Sequence, residues 1–156
     1  MLLLSFLLIP AAAGFLIAFL PRDSFSRWVI AVPAVLFLLV LTSGEIPTQV
    51  ISWIPSLGVD LALAMDGLGS WFALIITGVG TLVLLYAAGY FEDPAKYVRF
   101  ASYTLLFMAA MLGIVLSANL LLLFVFWELT SVTSYLLIGF YHEREEARDG
   151  ARRALI

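Results

Sequence analysis

The chain has 156 residues, 63% of them hydrophobic and only 12% charged, and a mean hydropathy of +1.09. Soluble domains run about 45–50% apolar and about 25% charged, so this composition excludes an ordinary water-soluble globule and a disordered chain. Eight Lys+Arg against eleven Asp+Glu, a net charge of -3, argue against a nucleic-acid partner, and zero cysteines with one histidine leave no disulfide, thiol chemistry or multi-His metal site. No cofactor and no metal are expected.

A membrane-spanning helix needs about 20 consecutive apolar residues. Met1–Leu20 is a charge-free run stopped by Pro21-Arg22-Asp23, and it predicts a helix over 2–20. Ala11-Ala12-Ala13 resembles a cleavage site, but no basic residue precedes the run and its apolar stretch continues past the alanines. It therefore reads as a retained helix rather than a signal peptide. Trp28–Ser43 is a shorter second run, with Pro33 inside it. Residues 49–65 are rich in β-formers and partly alternate, with Pro55-Ser56-Leu57-Gly58 as a tight turn between the halves. They predict a small β-hairpin. Gly67–Phe91 is a third helix. Phe100–Tyr141 is about twice the length of one span and is interrupted only by Glu128. Its most polar, turn-forming point is Ser117-Ala118-Asn119, which divides it into helices over 100–117 and 119–141.

The segment 142–153, HEREEARDGARR, reads as a short solvated helix that Gly150 could break. Ala154-Leu155-Ile156 look like the opening of a sixth apolar run. The expected architecture is an all-α membrane protein with five transmembrane helices and a small extracytoplasmic β-hairpin. It forms one membrane domain over 1–156, an incomplete part of a larger bundle.

The basic residues orient it. All lie in three connections: Arg22 and Arg27; Lys96 and Arg99; and Arg144, Arg148, Arg152 and Arg153. With five helices these connections share one side, while Glu45, Asp60 and Asp66 lie on the other. Positive residues mark the cytoplasmic face, which puts the N-terminus outside and the C-terminus inside.

Glu128 needs an explanation. Counted from Asn119 at about 1.5 Å per residue, it lies about 14 Å into its helix, near the bilayer midplane. A carboxylate there costs about 2.5–3.5 kcal/mol on insertion scales, so it must face protein or water and must hold a proton or a partner. Ser131 and Tyr135, three and seven residues on, share its helix face. Thr130, Thr133 and Ser134 are in the same half of the helix, and His142 stands at its inner mouth. Hydroxyls can donate to a carboxylate and hold ordered water, so Glu128, Thr130, Ser131, Ser134, Tyr135 and His142 sketch a proton path. The alternative is structural. Glu128 would be a protonated hydrogen-bonding glue between helices, and the hydroxyls would bond their own backbone. Every Lys and Arg is read as lying in a loop, so a cationic partner for Glu128 must come from outside this chain. Asp66 fits an outer helix cap or an ion-path residue. Gly78, Gly80 and Gly89 fit helix-packing positions.

The stretch Leu121–Arg153, LLLFVFWELTSVTSYLLIGFYHEREEARDGARR, resembles the antiporter-like subunits shared by respiratory complex I and multisubunit Na+/H+ antiporters. Within that family it is most similar to the large A subunit of Mrp-type (Mnh-type) antiporters, because Leu129-Thr130-Ser131 follow Trp127-Glu128. Met65-Asp66-Gly67-Leu68, the run from Phe72 to Phe91, Met111–Ser117 and the outer hairpin extend the likeness. The resemblance implies a secondary ion transporter subunit, not an enzyme. Glu128 would relay protons and pair with a lysine beyond Ile156. The partners would be other antiporter subunits, H+, a monovalent cation, Na+ foremost, and the lipid bilayer. The setting would be the plasma membrane of a bacterium or archaeon. The alternatives are a piece of the proton-pumping arm of complex I and a purely structural or assembly fragment.

Overall fold

In a computed structural model of the chain, residues 2–19, 28–44, 46–57 and 59–155 are described. Arg22, Arg27, Glu45, Gly58 and Ile156, used above, lie outside them. In chain order come α1 (Leu2–Ile17), α2 (Ala31–Thr42), β1 (Ile46–Ile54), β2 (Val59–Met65), α3 (Gly67–Tyr90), α4 (Pro94–Leu116), α5 (Leu120–Ile138) and α6 (Glu145–Leu155). Short 3-10 turns cover Pro55–Leu57 between the strands and Gly139–Tyr141 after α5.

Among the described residues, three helices are long and apolar enough to cross a membrane: Gly67–Tyr90, Pro94–Leu116 and Leu120–Tyr141. The first helix stops at Ile17, short of the expected 20, while the apolar helix Trp28–Thr42 nearly fills the expected 28–43. Helix α1 has 16 residues and α2 has 12, against the roughly 20 of a full span. Conversely, α4 starts at Pro94, well before Phe100. Asp93 is its N-cap, accepting from Ala95 N at 2.8 Å, and Pro94 takes the first turn, where its missing N–H is harmless. Lys96 and Arg99 are therefore helical rather than in a loop. Gly150 does not break α6, which runs through it and packs on the end of α5.

Caps fix the other boundaries. Asp66 accepts from Gly69 N at 2.6 Å to start α3. The α4–α5 break falls where Ser117-Ala118-Asn119 predicts, and Asn119 accepts from Leu122 N at 2.8 Å to start α5. The two strands pair antiparallel. Their hairpin is tied to the α4–α5 turn by Asn119 Nδ2 donating to the Asp60 carbonyl at 2.7 Å and Ala118 N to the Ala62 carbonyl at 2.9 Å. This closes one end of the bundle. Phe91, Phe100 and Phe140 close the other, with ring centroids 5.4–5.8 Å apart.

Helix α4 is the axis. It packs against α1, α3 and α5, and α2 packs on α3. Its contacts run through small residues. Gly14 of α1 lies so close that an added Cβ would stand 3.1 Å from the Ser102 carbonyl oxygen. The buried Ser102 hydroxyl donates to the Gly14 carbonyl at 2.7 Å. About three turns further along α4, Gly113 seats the ring of Phe126 of α5, where any Cβ would overlap the ring. Gly78 and Gly80 meet Phe37 and Met108, as packing positions should, while nothing lies near Gly89.

Gly113→Ala is expected to destabilise the protein by about 1–3 kcal/mol through overpacking. Adding Phe126→Leu should recover most of that. Thermal unfolding in detergent measures both, and a Gly113→Ala protein that melts like the unsubstituted one would refute this close approach.

Candidate functional site

Helix α5 presents two unlike faces. Leu122 and Thr133 are its only buried residues. With Phe126 they form the stripe that seats against α4. At about 100° per residue, Glu128 falls on nearly the opposite side. It shares that side with Phe124 and Tyr135, both exposed, and with the half-exposed Ser131. Glu128 is itself exposed and nine residues in from the Asn119 cap of a 19-residue helix, near its middle. Among the described residues, no group forms a hydrogen bond or ion pair with its carboxylate. Glu128 thus lies on the side of α5 turned away from α4.

The hydroxyl path divides. Ser131 and Tyr135 share the face of Glu128; Thr130 and Ser134 are half-buried and turned towards the α4 side. Thr130 donates to the Trp127 carbonyl at 2.6 Å and Thr133 to the Leu129 carbonyl at 2.8 Å, while Ser131 makes a long 3.4 Å contact with the Trp127 carbonyl. These hydroxyls use their donors on their own helix, as serine and threonine do in membrane helices. They keep their acceptor lone pairs. Asp66, at the hairpin end, is exposed and engaged as the α3 cap.

Tyr135 and His142 meet at the other end of α5. They line a cavity of about 220 Å3 walled by α4, α5 and α6. Arg99, Tyr103 and Arg148 line it with them. Arg99 Nη2 donates to the Phe140 carbonyl at 3.2 Å, and its guanidinium carbon stands 4.5 Å from the Phe140 ring centroid. Its Nε is buried with no hydrogen-bond partner. Arg148 Nη1 reaches the His142 carbonyl at 3.4 Å. In the sequence Arg99 reads only as an orienting basic residue of a loop, and no signal singles out Tyr103. The Asp93-Pro94 pair, a cap followed by a first-turn proline, is the signal that places Arg99 in the helix.

Residues 51–101, from β1 to the first turns of α4, match the family model described as NADH-Ubiquinone oxidoreductase (complex I), chain 5 N-terminus. Over 144 residues, 88% of this chain, the sequence is 43% identical to the Na(+)/H(+) antiporter subunit A1 of Staphylococcus aureus, of which it covers 18%. The chain is thus similar to antiporter-like subunits over these stretches. Its fold matches a chain of the solved Mrp complex from Dietzia sp. DQ12-45-1b with a TM-score of 0.88 and 28% identity, covering 99% of this chain and 17% of that one. A chain of the membrane-bound sulfane sulfur reductase, an archaeal respiratory membrane complex, shares the fold at a TM-score of 0.75 and 18% identity, with 99% of this chain and 33% of that one covered. The chain spans less than a fifth of the length of the curated relative it matches, and three of its described helices are long and apolar enough to cross a membrane.

Asp66 caps α3, so Asp66→Ala is expected to cost about 1 kcal/mol of stability and Asp66→Asn, an equally good cap, to cost little. Thermal unfolding in detergent measures both, and an Asp66→Ala protein that melts like the unsubstituted one would refute the cap.

Proposed function

We propose that this chain is the N-terminal membrane portion of a large subunit in a multisubunit Na+/H+ antiporter, with Glu128 as a proton-relay carboxyl. The observation that carries the reading is the 43% identity to an antiporter A1 subunit across 88% of the chain. The position of Glu128 supports the relay role. An ionisable group near the bilayer midplane must face protein or water. On α5 it is turned away from α4, towards the side that residues outside this chain would line. A lysine from such a residue could hold the carboxylate charged, and its withdrawal would favour protonation. Ser131 and Tyr135 continue that face towards the cavity at His142, a route by which ordered water could carry protons.

In this reading α1, α2, α3, α4 and α5 all span the bilayer within one domain, the first two as short spans aided by local thinning of the bilayer. The end holding Lys96, Arg99 and α6 is cytoplasmic by the positive-inside rule, and the hairpin end with Asp60 and Asp66 is outside. The N-terminus is then outside and the C-terminus inside, in a bacterial or archaeal plasma membrane. The partners are further antiporter subunits, H+, Na+ and lipid.

The match to a complex I family model favours a second reading, a piece of a quinone-reducing proton pump. Co-purification separates the two. An antiporter brings small antiporter subunits, and complex I brings iron–sulfur and flavin subunits.

Inverted membrane vesicles holding the assembled complex test the relay, with a pH-sensitive dye reporting Na+-induced proton movement. Glu128→Gln is expected to lower exchange more than about tenfold, a barrier increase above about 1.4 kcal/mol, at normal assembly. Exchange at the unsubstituted level would make Glu128 a structural hydrogen-bonding residue and end the proposed path.

A further inference from the structure

We propose that the cavity between the first turns of α4, the end of α5 and α6 binds the phosphate of an anionic phospholipid. Arg99, Arg148 and His142 line it together with the phenols of Tyr103 and Tyr135, and no carboxylate does. Both guanidinium groups are held in place by one turn, Arg99 by the Phe140 carbonyl and Arg148 by the His142 carbonyl. The Phe140 ring further fixes Arg99 from one face. A guanidinium carries five N–H donors, and each of these spends one on the turn. Both groups border a concave site that no carboxylate lines, and the Arg99 Nε is buried there with no hydrogen-bond partner; guanidinium groups recognise phosphate through forked hydrogen bonds. The adjoining depression shares Arg99, Tyr103 and His142 and adds Lys96. Asp93 and Glu143 lie there, beside the cavity rather than in it, and Asp93 is engaged with Ala95 N.

A lipid suits the site better than a free phosphate because the cavity opens onto apolar surface. Its Leu136 wall continues along α5 as the exposed Leu129, about 100° around the helix from Glu128, a track along which an acyl chain can lie. Basic pockets between transmembrane helices at the cytoplasmic surface hold anionic headgroups by this combination of charge and apolar track. The inference needs the membrane setting of α4 and α5 but not the relay role of Glu128.

Native mass spectrometry of the assembled complex, stripped of lipid and reloaded with dioleoylphosphatidylglycerol, tests it. The unsubstituted complex is expected to retain one more phosphatidylglycerol per copy of this chain than Arg148→Gln or Arg99→Gln. Arg148 is exposed on α6, so its variant keeps the fold even where Arg99→Gln disturbs Phe140. Arg152→Gln, exposed on the same helix outside the cavity, should retain the full number. Equal retention in the unsubstituted and both cavity variants overturns the proposal. So does equal retention of dioleoylphosphatidylcholine at the site, which would remove the preference for an anion. Displacement of the lipid by millimolar inorganic phosphate would identify a free-phosphate site and overturn the lipid.

Discussion

The close approach of α4 to its neighbours is the constraint on which the rest of the structure depends. Lipid tails are as apolar as leucine, so burying apolar surface does not drive helices together in a bilayer; van der Waals contact and interhelical hydrogen bonds do. Both require small residues where backbones meet. Gly14 lets α1 come near enough for the Ser102 hydroxyl to reach its carbonyl. Gly113 lets the Phe126 ring sit on the backbone of α4. The two contacts lie eleven residues apart along one helix, so α4 fixes the rotation of α1 and α5 about their own axes.

That rotation determines what α5 offers to the rest of an assembly. Once Leu122, Phe126 and Thr133 are turned to α4, helical geometry carries Glu128 to the far side with Ser131 and Tyr135. The energetic cost of a charge near the midplane then falls on whatever covers that side. The same rotation brings the end of α5 over Arg99, and the Gly139–Tyr141 turn supplies the carbonyl and ring that hold its guanidinium. The carboxylate and the cationic cavity are two consequences of one helix placement.

Much of this was legible in the sequence where local chemistry decides. Ser117-Ala118-Asn119 mark a helix break because an asparagine side chain caps the helix that follows. Asp66 is a cap on the same ground, and β-formers flanking a proline turn make the hairpin. What misled was counting charge-free residues as a measure of helix length. A basic residue can occupy the first turns of a span when its side chain reaches the interface, and so α4 holds Lys96 and Arg99. An apolar run can also overshoot, so α1 stops at Ile17. Which residues share a face with Glu128 was legible for Ser131 and Tyr135 from spacing alone. The separation of Thr130 and Ser134 from them appears once the side of α5 that meets α4 is known.

The proposed relay requires that the Glu128 face of α5 be covered by protein and water, not by lipid. The chain has no cysteine, so single substitutions can report on each face separately. The measurement is thiol labelling of Glu128→Cys, Ser131→Cys, Tyr135→Cys and Phe126→Cys in the assembled complex, in native membranes, with a small water-soluble methanethiosulfonate and a lipid-soluble maleimide. The account predicts that the first three react with the water-soluble reagent and that Phe126→Cys, packed on α4, reacts with neither. Labelling of Glu128→Cys by the lipid-soluble reagent alone would place that face against the bilayer and contradict the account.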